Sequence, residues 1–139
     1  MASRFLKPET HRLDLSHGDW LLVKKRLTAG EQRRLFARMV KTMVQGEKIE
    51  MNPVQAGMSK IVEYLLDWSL TDPEGKPVLI RGKTPEQLAT VLDGLDLDSF
   101  NEIYEVIEAH EKAMADEREQ EKNASAGETA SSATSASAP

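Results

Sequence analysis

The apolar positions of residues 53–70 recur every three or four residues, which predicts an amphipathic helix. Asn52 can cap this helix and Pro53 suits its first position. Its apolar surface is the widest in the chain, so we expect it to be the most deeply buried helix. That surface is formed by Val54, Met58, Ile61, Val62, Leu65, Leu66, Trp68 and Leu70.

The helical pattern breaks at Thr71-Asp72-Pro73-Glu74-Gly75, which has the residues of a type I turn. Proline presets φ, aspartate can bond the backbone that follows it, and glycine tolerates the exit geometry. A short extended run follows at residues 76–80. We expect the rest of the chain to be organised around this helix, turn and extended run.

A β-hairpin is predicted near the N-terminus. Leu13 and Leu15 alternate with polar neighbours, which is the period of a half-buried strand. His17-Gly18-Asp19 then supplies turn residues before the apolar run 20–23. Because an isolated hairpin is only marginally stable, it requires a helix or another strand, and residues 78–80 are the candidate third strand.

A second helix is predicted to begin at the capping box Thr28-Ala29-Gly30-Glu31. It runs to about residue 44, where Gln45-Gly46 ends it. Its predicted apolar face contains Leu35, Phe36, Met39, Val40, Met43 and Val44.

Two more helices are predicted towards the C-terminus. Thr84 and Gln87 form a capping box that begins a short helix ending near Gly94. Asp98 is the predicted cap of the last helix, whose apolar pattern thins beyond His110. The predicted apolar faces are Leu88, Val91 and Leu92 in the short helix, and Phe100, Ile103, Tyr104 and Ile107 in the last.

These elements predict a mainly α fold with a small β element, an N-terminal hairpin packed on about four helices. Residues 1–11 are predicted to be a flexible arm and residues 12–115 a single domain. Residues 116–139 are predicted to be a charged helix end followed, from residue 123, by a disordered tail of Ala, Ser, Thr and Gly. No apolar run reaches the roughly 20 residues that span a bilayer, and the N-terminus lacks a secretory signal, so we expect a cytoplasmic protein.

Charge is distributed unevenly along the chain. Residues 1–70 hold 12 Lys and Arg against 8 Asp and Glu, whereas residues 71–139 hold 6 against 15. A solvated helix face followed by an acidic C-terminal segment explains this distribution. Alternatively, the two ends bind different partners, or copies of the chain associate head to tail.

The sequence contains no constellation typical of catalysis, cofactor binding or metal binding, so we expect a protein that is not an enzyme. It has no cysteine, and its three histidines have no metal-site spacing; His17 is interpreted as a loop residue and His110 as a helix-surface residue. Gly82-Lys83-Thr84 matches only the end of a phosphate-binding loop. Asp93, Asp96 and Asp98 do not match a calcium loop, and we interpret them as a helix cap and a polar loop.

Basic residues cluster at Lys24-Lys25-Arg26 and at Arg33, Arg34 and Arg38. Such a patch can contact phosphates, but the chain as a whole is acidic, so a solvated face or a surface for an acidic partner is the alternative. Met39, Met43 and Met58 lie on predicted apolar faces, where methionine packs in cores and also on adaptable binding surfaces. Trp20 and Trp68 are interpreted as core residues.

The order of these features resembles the tail assembly chaperones of long-tailed bacteriophages. The resemblance lies in residues 13–27 with the capping box at Thr28, in the helix through residues 61–68, and in the turn region 69–78. Thr84-Pro85-Glu86 and the Asp98-Ser99-Phe100 helix follow in the expected order, so the resemblance covers most of residues 12–110. It consists of hydrophobic spacing and turns, and it assigns no site residues.

The resemblance implies a small non-enzymatic protein of the host cytoplasm that is not expected in the mature virion. It implies binding to the phage tape-measure protein, maintenance of that protein's solubility, and recruitment of tail-tube subunits during tail assembly. Self-association stays open, and nucleic acid and membrane are not expected partners. The alternatives are a phage structural protein, such as a connector or minor tail component, or a small nucleic-acid-binding regulator.

Overall fold

The computed structural model describes residues 3–44 and 53–137, which form a three-stranded antiparallel sheet and four α-helices. The strands are β1 (Thr10–Asp14), β2 (Trp20–Lys24) and β3 (Leu65–Trp68), in the spatial order β1-β2-β3. The helices are α1 (Ala29–Val44), α2 (Pro53–Tyr64), α3 (Pro85–Asp93) and α4 (Leu97–Ser137). The predicted fold class, mainly α with a small β element, is confirmed.

The N-terminal hairpin of β1 and β2 forms as predicted, with Leu13 opposite Leu21. A tight turn at Ser16–Gly18 joins the strands, with His17 and Gly18 at positive φ values of 62° and 79°. The Ser16 amide and hydroxyl both donate to the carboxylate of Glu102 on α4, at 2.9 Å each. The loop of the hairpin is therefore anchored to the last helix.

The prediction of a third strand at residues 78–80 is wrong, because the third strand is β3, which directly follows α2. Leu65 lies opposite Val23 and Trp68 opposite Leu21. Between these two pairs β3 has one residue more than β2, so β3 contains a bulge. The bulge turns both Leu65 and Trp68 into the core although they are three residues apart. A spacing of three is also helical, which is why the sequence pattern predicts a helix to residue 70 whereas α2 ends at Tyr64.

The predicted turn after residue 70 is present. Gly75 N–H donates to Asp72 O at 2.9 Å, and Asp72 Oδ1 accepts the backbone N–H groups of Glu74 and Lys76. The chain then returns past the sheet, and Val78 O accepts a 2.8 Å hydrogen bond from the indole of Trp68. The extended run 76–80 therefore satisfies a buried polar atom of Trp68 without joining the sheet as a strand.

The two predicted capping boxes, at Thr28 and at Thr84, both form. The predicted cap of the last helix is wrong by two residues. Asp96 caps it, since its carboxylate accepts from the amide and hydroxyl of Ser99, and Asp98 lies in the first turn. A carboxylate in that turn is favoured by the helix dipole, but it is not the cap. The predicted stop at Gln45-Gly46 and cap at Asn52 lie outside the described residues.

The core lies between the inner face of the sheet and the helices α2, α3 and α4. Trp68 is buried, as predicted, whereas Trp20 is half-buried on the outer face of the sheet, with the Arg12 guanidinium 5.2 Å above its ring. The buried core residues are Leu21, Val23, Ile61, Tyr64, Leu65, Trp68, Ile80, Leu88, Leu92, Phe100, Ile103 and Ile107.

Helix α4 continues to Ser137, whereas the composition predicts disorder from residue 123 onwards. Alanine, which is abundant there, has the highest intrinsic helix propensity, and this local preference opposes the compositional argument. The division into arm, domain and tail stays a prediction.

Gly57 sets the distance between α2 and α4. A Cβ placed on Gly57 would lie 3.1 Å from Cδ2 of Tyr104, closer than carbon atoms normally approach. The Tyr104 ring is held in place by a hydrogen bond from its hydroxyl to Glu108. The two helices can therefore approach closely only because residue 57 has no side chain.

We expect Gly57→Val to lower the free energy of unfolding by about 1–3 kcal/mol, because the branched side chain must displace the Tyr104 ring. Urea unfolding of the purified chain measures this. Gly30→Ala is the matched control, since its nearest neighbours are 3.9 Å away and alanine is the better helix former; its change should lie between zero and a gain of about 1 kcal/mol. A Gly57→Val protein of unchanged stability would contradict the close α2–α4 contact.

Candidate functional site

The predicted basic patch converges on a buried carboxylate, that of Glu63 on α2. Glu63 is only 4% exposed, and three cations surround it. Arg38 Nη1 lies 2.6 Å from Glu63 Oε2, and Arg34 Nη2 and Lys24 Nζ each lie 3.6 Å from Oε1. Since Arg34 and Arg38 belong to α1 and Lys24 to β2, this cluster joins three elements of the fold.

A second carboxylate, Glu31, completes this charge cluster. It pairs with Lys24 and also accepts the Thr28 amide in the capping box of α1. Burial raises the pKa of Glu31, but the bonds to Lys24 and Thr28 outweigh burial and hold that pKa below its usual value. The beginning of α1 and the end of β2 are thereby fixed to one another.

The other basic residues at the end of β2 are paired with acidic side chains too. Lys25 Nζ lies 3.3 Å from Glu9, and Arg26 Nη2 lies 3.4 Å from Glu117 and 3.7 Å from Glu121 on α4. Much of the charge that could attract phosphates is thus matched by carboxylates of the same chain. This pairing reduces the local basic excess on which the nucleic-acid alternative depends.

A groove of about 400 Å³ opens beside this charge cluster, between the N-terminal segment and the sheet. Leu6, Pro8 and Leu66 give it apolar walls, and the charged groups above form part of its rim. The lining residues are Leu6, Pro8, Glu9, Thr10, Lys24, Arg26, Thr28, Glu31, Arg34 and Leu66. The groove combines apolar and charged surface, a composition common in protein-binding sites.

A polar network holds α2 against α4. Lys60 Nζ donates to Glu108 and Glu111 at 2.9 Å each, and Tyr64 Oη donates to Glu111 at 3.2 Å. Burial lowers the pKa of Lys60, but its bonds to Glu111 and Glu108 outweigh burial and raise that pKa. Burial also raises the pKa of Tyr64, so its phenol stays a hydrogen-bond donor.

The prediction that His110 lies on the helix surface is wrong, because it is 4% exposed. Its Nε2 lies 3.1 Å from Lys24 O and 2.9 Å from Lys25 O, so the ring donates to the end of β2. The ring stacks on His11 at 5.1 Å and meets Tyr64 edge-on. Burial lowers the pKa of His110 more than these carbonyls raise it.

The sequence contains signals for both buried groups, although neither was predicted. His110 follows Ile103 and Ile107 at helical spacing and therefore continues their apolar stripe. Glu63 follows Ile61 and Val62 directly, in a helix predicted to be deeply buried. A charge at such a position requires a partner, and the arginines of α1 were the available ones.

The outward face of α1 exposes large apolar side chains. Leu35 is buried as predicted, but Phe36 is 69% exposed and Val40 37% exposed, so this part of the predicted apolar face is wrong. Arg34 and Arg38 reach Glu63 and so fix which side of α1 faces the protein, and Phe36 and Val40 are left on the other side. Met39 is half-buried beside them, and the side chains of Met43 and Val44 lie outside the described residues.

A second apolar cleft, of about 180 Å³, lies between α2 and α3. Met58, Val62 and Ala89 line it, together with Pro85, and Arg38 and Glu86 contribute charge. Met58 is half-buried there, so it both packs against the core and forms part of the surface.

Other residues considered as ligands or catalytic groups cap helices or lie in loops. Thr84 caps α3 and Asp96 caps α4, while His17 lies in the hairpin loop with a φ of 62°. Within residues 3–44 and 53–137, no group of three His, Asp or Glu side chains is placed to hold a metal ion.

No protein-family model, curated protein or solved structure matches this chain. Among the described residues, none of the helices combines the length and the apolar character that crossing a membrane requires.

We expect Glu63→Gln to lower the free energy of unfolding by about 2 kcal/mol. The loss should be smaller than for a fully buried ion pair, because the three cations are partly exposed and can turn towards water. Urea unfolding at neutral pH measures it, with Glu74→Gln in the exposed turn as the control that should change stability by less than about 0.5 kcal/mol. Equal stability of the two variants would contradict a structural role for the charge cluster.

Stability should fall as the pH drops below about 6.5, the ordinary value for histidine, because the folded state disfavours the charged form of His110. The contribution of neutral His110 is fully present above that pH and is lost progressively towards its lower folded-state pKa. Urea unfolding between pH 8 and pH 5 should show a shallower acid loss for His110→Gln than for the unaltered chain. His17→Gln, in the exposed loop, is the control, and it should retain the acid loss of the unaltered chain.

Proposed function

We propose that this protein is a tail assembly chaperone of a long-tailed bacteriophage, which binds the tape-measure protein and keeps it soluble until tail-tube subunits assemble. The observation that carries the proposal is the outward face of α1, where Phe36 and Val40 are exposed. The proposed identity of the partner rests on the resemblance between the order of features in this sequence and that in tail assembly chaperones. The protein acts by binding, in the cytoplasm of the infected host, and is not an enzyme.

The exposed face of α1 suits a helical partner. Phe36 and Val40 are four residues apart, so their side chains lie next to each other along the helix. A partner helix with apolar residues at the same spacing can lie along this stripe, as amphipathic helices do in the grooves of their receptors. Met39 beside the stripe has a flexible side chain, which allows partners of differing sequence to fit.

The rest of the molecule supports the α1 stripe as a rigid platform. Leu35 packs inward, and Arg34 and Arg38 tie α1 to Glu63 at the centre of the fold. The stripe is therefore held in one orientation and need not be ordered when a partner arrives, which lowers the entropy cost of binding.

Co-expression of this chain with the tape-measure protein should keep that partner in the soluble fraction as a complex. Phe36→Glu should reduce the recovered complex by about tenfold or more, because a charge would be placed in the centre of the apolar stripe. Ala37→Glu is the matched control, one residue along α1 and also exposed, and it should leave the complex intact. Both variants should unfold at the same temperature as the unaltered chain, since neither residue belongs to the core.

Aggregation of the tape-measure protein despite co-expression would contradict the proposal. Mass spectrometry of purified virions separates it from the alternative of a structural tail component. An assembly chaperone is absent from mature particles, whereas a connector or minor tail protein is present in a fixed copy number.

A further inference from the structure

One edge of the sheet, that of β1, is open. β2 pairs with β1 from one side, where Lys25 N–H donates to Glu9 O at 2.9 Å and Leu15 N–H donates to Asp19 O at 2.8 Å. Hydrogen-bonded pairs alternate along an antiparallel ladder, so the odd-numbered residues of this strand bond to β2. The even-numbered residues direct their backbone N–H and C=O groups away from the sheet.

Those outward-directed residues are Thr10, Arg12 and Asp14, and all three are exposed. Within residues 3–44 and 53–137, β2 is the only strand paired with β1. Leu13 points to the core side but is only half-buried, because β1 is the edge strand of the described sheet and has no neighbouring strand on its open side. The edge thus presents free backbone groups next to incompletely covered apolar surface.

Proteins commonly protect an open edge strand with charged side chains, because charges oppose random pairing. On β1 the two charges are of opposite sign and two residues apart, and Arg12 Nε already lies 3.5 Å from Asp14 Oδ1. In an antiparallel copy of this strand the two charges run in the opposite order, so each can face a charge of opposite sign. The pattern is therefore complementary to a second copy of the chain.

We propose that two copies of this chain associate through antiparallel pairing of their β1 strands, with each Arg12 opposite the partner's Asp14. The two-fold axis then passes between Leu13 and the partner's Leu13. The product is a continuous sheet of six strands with β1 of each copy at its centre.

Backbone geometry and side-chain chemistry select this register together. Only registers that place even-numbered residues opposite one another can use the outward N–H and C=O groups. Moving the pairing by one such step places Arg12 opposite the partner's Arg12, and moving it the other way places Asp14 opposite the partner's Asp14. Opposite charges across antiparallel strands stabilise the pairing and like charges oppose it, so the register with two Arg–Asp pairs is preferred.

The same register covers the apolar residues at the end of the sheet. Leu13 meets the partner's Leu13 in a pair without backbone hydrogen bonds, where side chains come closest. Leu15 lies opposite the partner's His11. A five-residue strand buries much less than the roughly 1,200 Å² of a stable interface, so the dimer is weak and dissociates on dilution. This association does not depend on the identity of the partner protein proposed above.

Sedimentation equilibrium of the full chain, from about 10 µM to about 1 mM, tests the dimer. The mass should rise with concentration from 15.5 kDa towards twice that value. Arg12→Asp and Asp14→Arg should each weaken dimerisation by about tenfold or more, because each places like charges opposite one another. The double variant restores both pairs with their signs reversed, and its dissociation constant should return to within about threefold of the original.

Arg12→Pro tests the backbone contribution. Proline removes an N–H that points away from β2, so the hairpin keeps its own hydrogen bonds and the dimer loses a bond on each side of its axis. Arg12→Ala is the matched control, since it removes the charge but retains that N–H, and it should weaken the dimer less than Arg12→Pro. Urea unfolding of both variants at low concentration checks that the monomer remains folded.

Disulfide formation reports the register directly, because the chain contains no cysteine. Leu13→Cys should oxidise to a crosslinked dimer, whereas Leu15→Cys should not, since that residue and its symmetry copy are four residues out of register. A chain that stays monomeric at about 1 mM overturns the proposal. So does a dimer that survives Arg12→Asp and Arg12→Pro, and loss of such a dimer in Phe36→Glu would assign the interface to α1 instead.

Discussion

The fold depends on the neutralisation of Glu63 inside the protein. A buried carboxylate without partners would destabilise the fold by several kcal/mol, so the surrounding elements must bring cations to it. Two come from α1 and one from β2, which fixes the position of α1 relative to the sheet. Because those residues define the inward side of α1, they also determine that Phe36 and Val40 face outward. The feature we propose for partner binding is therefore a consequence of how a charge is satisfied in the interior.

Local signals in the sequence were sufficient for much of the fold. Caps at Thr28 and Thr84, the turn at Asp72 and the alternation in β1 depend on residues within a few positions of one another, and all of them form. Periodicity failed at β3, where a bulge gives a strand the spacing of a helix. What decided that segment was pairing with β2, a contact across more than 40 residues that no local pattern encodes.

The candidate site was less predictable than the fold. The basic residues were recognised, but their acidic partners come from the N-terminal segment, α2 and α4, so the sequence suggested a free patch where the structure has ion pairs. The exposure of Phe36 was missed for a related reason. A helical wheel places the apolar residues of α1 on one side. Only the tertiary contacts show that the arginines face the protein and that part of the apolar side, at Phe36 and Val40, faces solvent.

The late arrival of α4 in the sequence constrains how the chain folds during synthesis. The hairpin emerges from the ribosome first, yet Leu21 and Val23 are covered only when β3 and residues 100–107 are available. Closing contacts over such separations is slow compared with forming a local helix. The nascent chain therefore reaches its folded form only after His110 has left the exit tunnel. Glu111, Glu117 and Glu121 follow later still, so the ion pairs that tie α4 to Lys60 and Arg26 are among the last contacts to form.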